Sequence, residues 1–138
     1  MLKDIYRSIK VDADVNKLEE VQTFVRDTLT ECGADVKFCN QIDIVVEEVF
    51  VNIASYAYPD GNGDAVIECG ADNESAILVF KDHGTPYNPL NKEDPVIGDP
   101  DNMTIGGYGI FMVRNIMDDV TYYYDDSSKE NILTLRKK

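Results

Sequence analysis

The chain has 138 residues, with 13 Lys and Arg against 26 Asp and Glu, so its formal net charge is −13, and 43% of its side chains are hydrophobic. A chain of this size can bury roughly two thirds of its unfolded surface as one domain, residues 1–138, without disulfides or a structural metal. The acid excess argues against broad contact with nucleic acid or anionic lipid, which rests on Lys and Arg neutralising phosphates, and three cysteines without a C-x-x-C pair argue against a disulfide framework or a zinc site.

Residues 3 to 11 alternate loosely between apolar and polar and are expected to open the fold as a strand. Asp12 or Asp14 can cap a helix in which Val15, Leu18, Val21, Val25 and Leu29 recur at helical spacing, with Gly33 placed to end it. Asp35 caps a second helix running to about Tyr58. Its apolar residues, from Ile42 through Ile44, Val45, Val46, Val49, Phe50, Val51 and Ile53 to Ala54, cover most of the circumference, so burial on most sides is expected. Pro59-Asp60-Gly61-Asn62-Gly63 stops it.

Two strands follow, 65–71 and 75–81, joined through Asp72-Asn73-Glu74 as a hairpin. From Asp82 to about Gly107 the density of proline and glycine prevents any regular element, and a loop of that length in a compact domain points to a functional lid. Helical spacing returns from Tyr108 to Met117, and strands at 120–124 and 131–136 close the chain. The order implies an α+β fold, helices layered on one face of a sheet. The N-terminus lacks the apolar segment of a signal peptide, and the longest apolar run, Ala76 to Phe80, is far short of a membrane span, so a cytoplasmic setting is expected.

Folding alone explains three places badly. In the second helix Glu48 and Asn52 stand at i and i+4 on one face among apolar neighbours. A buried carboxylate without a partner costs several kcal/mol, so that face is expected to line a polar cavity, unless the glutamates simply mark a solvated edge. A carboxylate and a carboxamide one turn apart suit a hydroxyl nucleophile and Mg²⁺ respectively. Asp82-His83-Gly84-Thr85-Pro86-Tyr87-Asn88-Pro89 lies at a strand end, where an aspartate can accept from an amino group and Gly84 lets a flat ring approach the backbone; the alternative is an ordinary turn. His83 is expected to point away from that ligand. Gly106-Gly107-Tyr108-Gly109 opens a helix and could meet an anion with backbone N–H groups, or simply be the hinge of the long loop.

In this order and spacing, E-x-x-x-N, D-x-G-x-P-Y-N-P, a lid over about residues 85–107 and G-G-x-G, the chain resembles the GHKL ATPases, and within them the anti-sigma-factor serine/threonine kinases of bacteria. The resemblance implies the Bergerat, or histidine-kinase-like, fold: a two-layer sandwich of a mixed, mainly antiparallel sheet with helices on one face. It implies Glu48 as general base and Asn52 as Mg²⁺ ligand. It likewise implies Asp82 as the reader of the adenine amino group with Gly84 beside the base, Pro86 and Tyr87 as the anti-sigma-kinase version of the loop, and Gly106, Gly107 and Gly109 as the phosphate cradle. The cofactors implied are ATP and Mg²⁺. The implied partners are a sigma factor and an anti-sigma-factor antagonist that is phosphorylated on Ser or Thr, and a homodimer is expected.

Tyr56 stands where relatives frequently carry a basic residue, which keeps open a non-catalytic module that uses ATP to switch its grip on a protein partner. With so many acids, the lid residues Glu93, Asp94, Asp99 and Asp101 are expected to face away from the triphosphate.

Overall fold

The structure, a computed structural model, describes residues 2–72, 74–91 and 107–138. Its strands are β1 (Ile5–Asp12), β2 (Asp64–Ala71), β3 (Ala76–Asp82), β4 (Asp119–Asp125) and β5 (Glu130–Lys137), and its helices α1 (Leu18–Cys32), α2 (Val36–Asn52) and α3 (Gly107–Ile116). Gly106 and the lid acids Glu93, Asp94, Asp99 and Asp101 lie outside the described residues, as does most of the expected lid.

Capping chemistry sets the helix bounds. Asp14 accepts from the Asn16 N–H and starts the single 3₁₀ turn Val15–Lys17 that leads into α1. Gly33 ends α1 at φ 110°, in the left-handed conformation open to glycine, with its N–H on the Leu29 and Thr30 carbonyls. Asp35 caps α2 through the Phe38 N–H at 2.9 Å. Beyond Asn52 this helix widens into a π-helical turn, Ile53–Ala57.

The strands form one sheet in the order β1-β2-β3-β5-β4. The expected two-layer α+β sandwich is observed, and its sheet, expected to be mainly antiparallel, pairs antiparallel throughout the described residues. One row of partners across it runs Ile9, Ile67, Phe80, Leu133, Tyr122, and the next runs Val11, Ala65, Asp82, Asn131, Tyr124. Side chains alternate across a strand, so these rows share the face that meets the helices. There Ile67, Leu78, Phe80 and Leu135 pack with Val21, Val25, Leu29, Ile42, Val45, Val46, Phe50 and Val113 into one core. All three cysteines are buried, and burial pushes the Cys69 thiol up to about 12.

Burial of α2 on most sides is not what the structure shows. Cys39, Ile42, Val45, Val46, Val49 and Phe50 are buried, whereas Ile44 is 43% and Val36 71% exposed. The helix lies in a single layer between α1 and α3, so its outer side meets water. Arg26 of α1 reaches across to Asp43 and Asn40 and ties the two helices together. No helix among the described residues is long and apolar enough to cross a membrane.

Candidate functional site

A cavity of about 630 Å³ opens where α2, the end of β3, the start of α3 and the β4–β5 pair converge. Its walls are mainly apolar, with Val49, Ile53, Phe80, Ile110 and Leu133 among them, and the polar groups on it are few: Asn52, Asp82, Asn131 and the side chains of Tyr56, Thr85, Tyr87 and Tyr122. Few, convergent polar groups on an apolar wall are the usual build of a small-molecule site. Among the described lining residues Asp82 is the one formal charge.

Asp82 ends β3 and is 6% exposed. Its Oδ1 accepts from the Gly84 N–H and from Asn131 Nδ2, both at 2.9 Å. Among the described residues nothing donates to Oδ2. Burial raises this carboxyl above the ordinary aspartate range, partly offset by the two hydrogen bonds and by nearby His83. A buried, half-satisfied carboxylate beside a cavity is an acceptor waiting for a donor.

The loop after it is held from three sides. A Cβ on Gly84 would lie 2.3 Å from the Ala57 carbonyl oxygen, so glycine is what lets this loop touch the π-helical turn. Thr85 N–H donates to the same carbonyl at 2.9 Å. The Tyr58 hydroxyl accepts from the His83 N–H at 2.8 Å and donates to the Asp64 carbonyl at 2.6 Å. The His83 ring turns out of the cavity, as expected, with Nδ1 3.2 Å from the Lys129 carbonyl. Pro86 and Tyr87 both line the cavity, Tyr87 remaining 53% exposed.

On α2 the structure separates the expected pair. Asn52 lines the cavity, and its carboxamide makes no hydrogen bond to the described residues. Glu48, one turn earlier, is not among the lining residues; its Oε2 lies 2.3 Å from where a Cβ on Gly109 would sit, so the carboxylate rests against the backbone of the first turn of α3. Burial, and to a lesser extent Glu47, raises the Glu48 carboxyl above its ordinary value. Along this face Asn52 stands on the wall of the mainly apolar cavity and Glu48 at the junction with α3. Gly107 begins α3, in keeping with a glycine-rich helix start.

No cluster of three or more His, Cys, Asp or Glu side chains placed to hold a metal occurs among the described residues. One unpaired carboxamide oxygen fits Mg²⁺ all the same, because this ion keeps its waters and takes one or two protein oxygens together with phosphate oxygens. Asn52 would hold it.

Tyr56 is 75% exposed at the cavity mouth, and no Lys or Arg stands among the described lining residues. Asn131 and Tyr122 belong to the site and were not foreseen. A signal existed: in β5, Asn131, Leu133 and Leu135 share the inward face, and an amide in an otherwise leucine row asks for buried polar partners.

Comparison with known proteins gives the same frame. Proteins named serine-protein kinase RsbW from Listeria innocua and Listeria monocytogenes (serotype 4a) are each 25% identical over 103 residues, covering 70% of this chain and 66% of theirs. The protein of that name from Staphylococcus aureus (strain JH9) is 21% identical over 132 residues, 88% of this chain and 80% of its own. The solved RsbU and RsbW domains of Rv1364c from Mycobacterium tuberculosis superpose with a TM-score of 0.68 at 18% identity, over 97% of this chain and 32% of that one. The mycobacterial sensor histidine kinase MprB follows at 0.54 and 15%, over 96% and 97%. At such identities the two solved structures speak to the fold alone. The model of the histidine kinase-like ATPase domain matches residues 11–137, and the chain belongs to that family.

Proposed function

We propose that the chain is a cytoplasmic, Mg-ATP-dependent serine/threonine protein kinase that phosphorylates an anti-sigma-factor antagonist and, as an anti-sigma factor, holds a sigma factor inactive, acting as a homodimer. One observation carries the reading: a buried carboxylate, Asp82, with one oxygen committed to the fold and the other left for a donor, on the wall of an apolar cavity that also holds Asn52. Adenine is a flat apolar ring with one exocyclic amino donor. Asp82 Oδ2 would accept from that amino group while Phe80, Ile110 and Leu133 enclose the ring. Asn52 would lend its oxygen to Mg²⁺, whose charge, when bound, offsets that of the phosphates. The N–H groups of the first turn of α3, from Gly107 through Gly109, would meet the phosphate oxygens.

Glu48 has the properties of a general base, a carboxylate held at the junction of α2 and α3 with its proton affinity raised by burial. It would orient and deprotonate the incoming hydroxyl. The rest of the catalysis is positioning. The names of the relatives support the substrate class. Incubation with Mg-ATP and candidate antagonist domains should yield phosphoserine or phosphothreonine by mass, with Glu48→Gln reducing transfer by about a hundredfold or more and leaving ATP bound. Full transfer by Glu48→Gln would remove Glu48 from the mechanism.

A second reading rests on the cavity mouth. Tyr56, not a cation, stands there, and no described lining residue is basic. A module that binds ATP to change its hold on a protein partner needs no cation to stabilise a transferring phosphoryl group. ATP binding without phosphorylated product on any antagonist would favour it.

A further inference from the structure

Asn131 is 7% exposed, and both ends of its amide are hydrogen-bonded to described residues. Its Nδ2 lies 2.9 Å from Asp82 Oδ1, 3.3 Å from the Gly84 carbonyl and 3.2 Å from the Thr85 carbonyl. Its Oδ1 accepts from the Tyr87 N–H at 3.1 Å and from the Tyr122 hydroxyl. Three acceptors on one side and a backbone donor on the other fix which end of the amide is which. The register places it directly across from Asp82, on the strand inserted between β3 and β4.

Resting on the adenine reading above, we infer that Asn131 is a positioning residue that makes base recognition and the loop of residues 84–87 one mechanical unit. By occupying Asp82 Oδ1 it leaves Oδ2 as the oxygen that meets the base, and by the same amide it pins Thr85 and Tyr87, the first residues of the segment leading to residues 92–106. A base that engages Asp82 therefore steadies Thr85 and Tyr87 through the same amide. An isosteric acid cannot do this. In Asn131→Asp a second carboxylate would face Asp82 and two carbonyls, and the pair would hold together by sharing one proton. The other titratable groups around them are His83, Glu130, Tyr58 and Tyr122.

The test uses the full chain, with Mg-ATP and Mg-ITP as probes, ITP lacking the exocyclic amino donor. Wild type should prefer ATP. Asn131→Ala should lose about thirtyfold in ATP affinity, as expected for a hydrogen bond to a charged group, and should change little toward ITP, so the ratio collapses. Asn131→Asp should gain ATP affinity on acidification from about pH 8 to about pH 6, as the shared proton returns, while wild type stays level or loses it. Amide exchange without nucleotide should quicken at Tyr87 and Gly84 in both variants, with α1 and β2 unchanged as a check on folding. An unchanged ATP-to-ITP ratio in Asn131→Ala, or parallel pH slopes in wild type and Asn131→Asp, overturns the inference. A wild type that does not distinguish the two nucleotides overturns the adenine reading instead, and slow exchange at Tyr87 in Asn131→Ala then refutes the tie to the loop of residues 84–87 independently.

Discussion

Asp82 carries opposite demands at one carboxyl. Burial favours its neutral form and raises its pKa, yet the amino group of a base requires an acceptor. Acid should therefore weaken ATP binding beginning above the ordinary aspartate range, by about tenfold per pH unit once the carboxyl is protonated in the free protein. Calorimetric titration of ATP across acid pH checks this, and Asp82→Asn, which offers Asn131 and the base a different set of donors, should bind weakly at every pH. For stability the sign reverses. A raised folded-state pKa means that this group's contribution is fully present below its unfolded value and is lost as pH rises through the folded one. The group is thus a stability cost at neutral pH, one that a base bound as proposed would recover.

At the scale of elements, the π-helical turn Ile53–Ala57 brings the end of α2 against the Asp82 loop, and Gly84 is the point of closest approach. The obstacle there is backbone, the Ala57 carbonyl, so a methyl group cannot be accommodated by rotating a side chain. Gly84→Ala should cost about 1–3 kcal/mol, as overpacking does, seen as a lower midpoint in thermal melts, and should weaken nucleotide binding through the displaced loop.

This contact also marks where sequence reading ran out. The amphipathic face of α1, the caps Asp35 and Gly33, and the alternation in β2 and β3 are local patterns, and they were legible. Asp82 and Asn52, singled out by spacing, are both found on the cavity wall, whereas Gly84 faces the Ala57 carbonyl. The exposure of Ile44 was not, because composition around a helix does not say how many layers flank it. Asn131 was missed because its meaning depends on register: it becomes a partner of Asp82 across 49 positions of chain. The π-helical turn has no simple sequence signature at all, and Ala57 gains its role through a carbonyl that any residue carries.

On the scale of the whole molecule, a net charge of −13 surrounds a site proposed for a polyanion, and the described cavity wall has no cation to draw it in. Proteins that bind phosphates through Lys and Arg lose affinity as salt rises. Here the long-range term is repulsive, and salt screens it, the Debye length falling from about 30 Å at 0.01 M to about 8 Å at 0.15 M. Mg-ATP affinity at fixed free Mg²⁺ should accordingly hold or rise, by about threefold at most, over that range. A steep fall would mean that a basic group outside the described cavity wall makes the main phosphate contact.

The sheet order has a consequence for how the protein is made. β5 follows β4 in the chain yet lies between β3 and β4, so β4 has no neighbour to pair with until residues 130–137 have left the ribosome. The same strand delivers Asn131 and Leu133 to the cavity. A nascent chain can assemble β1, β2 and β3 with α1 and α2 first, since domains fold as their parts emerge, but its pocket stays without that wall until β5 has emerged. The cavity thus cannot close before β5 is made, and a chain whose synthesis stalls ahead of it lacks the wall that Asn131 and Leu133 provide.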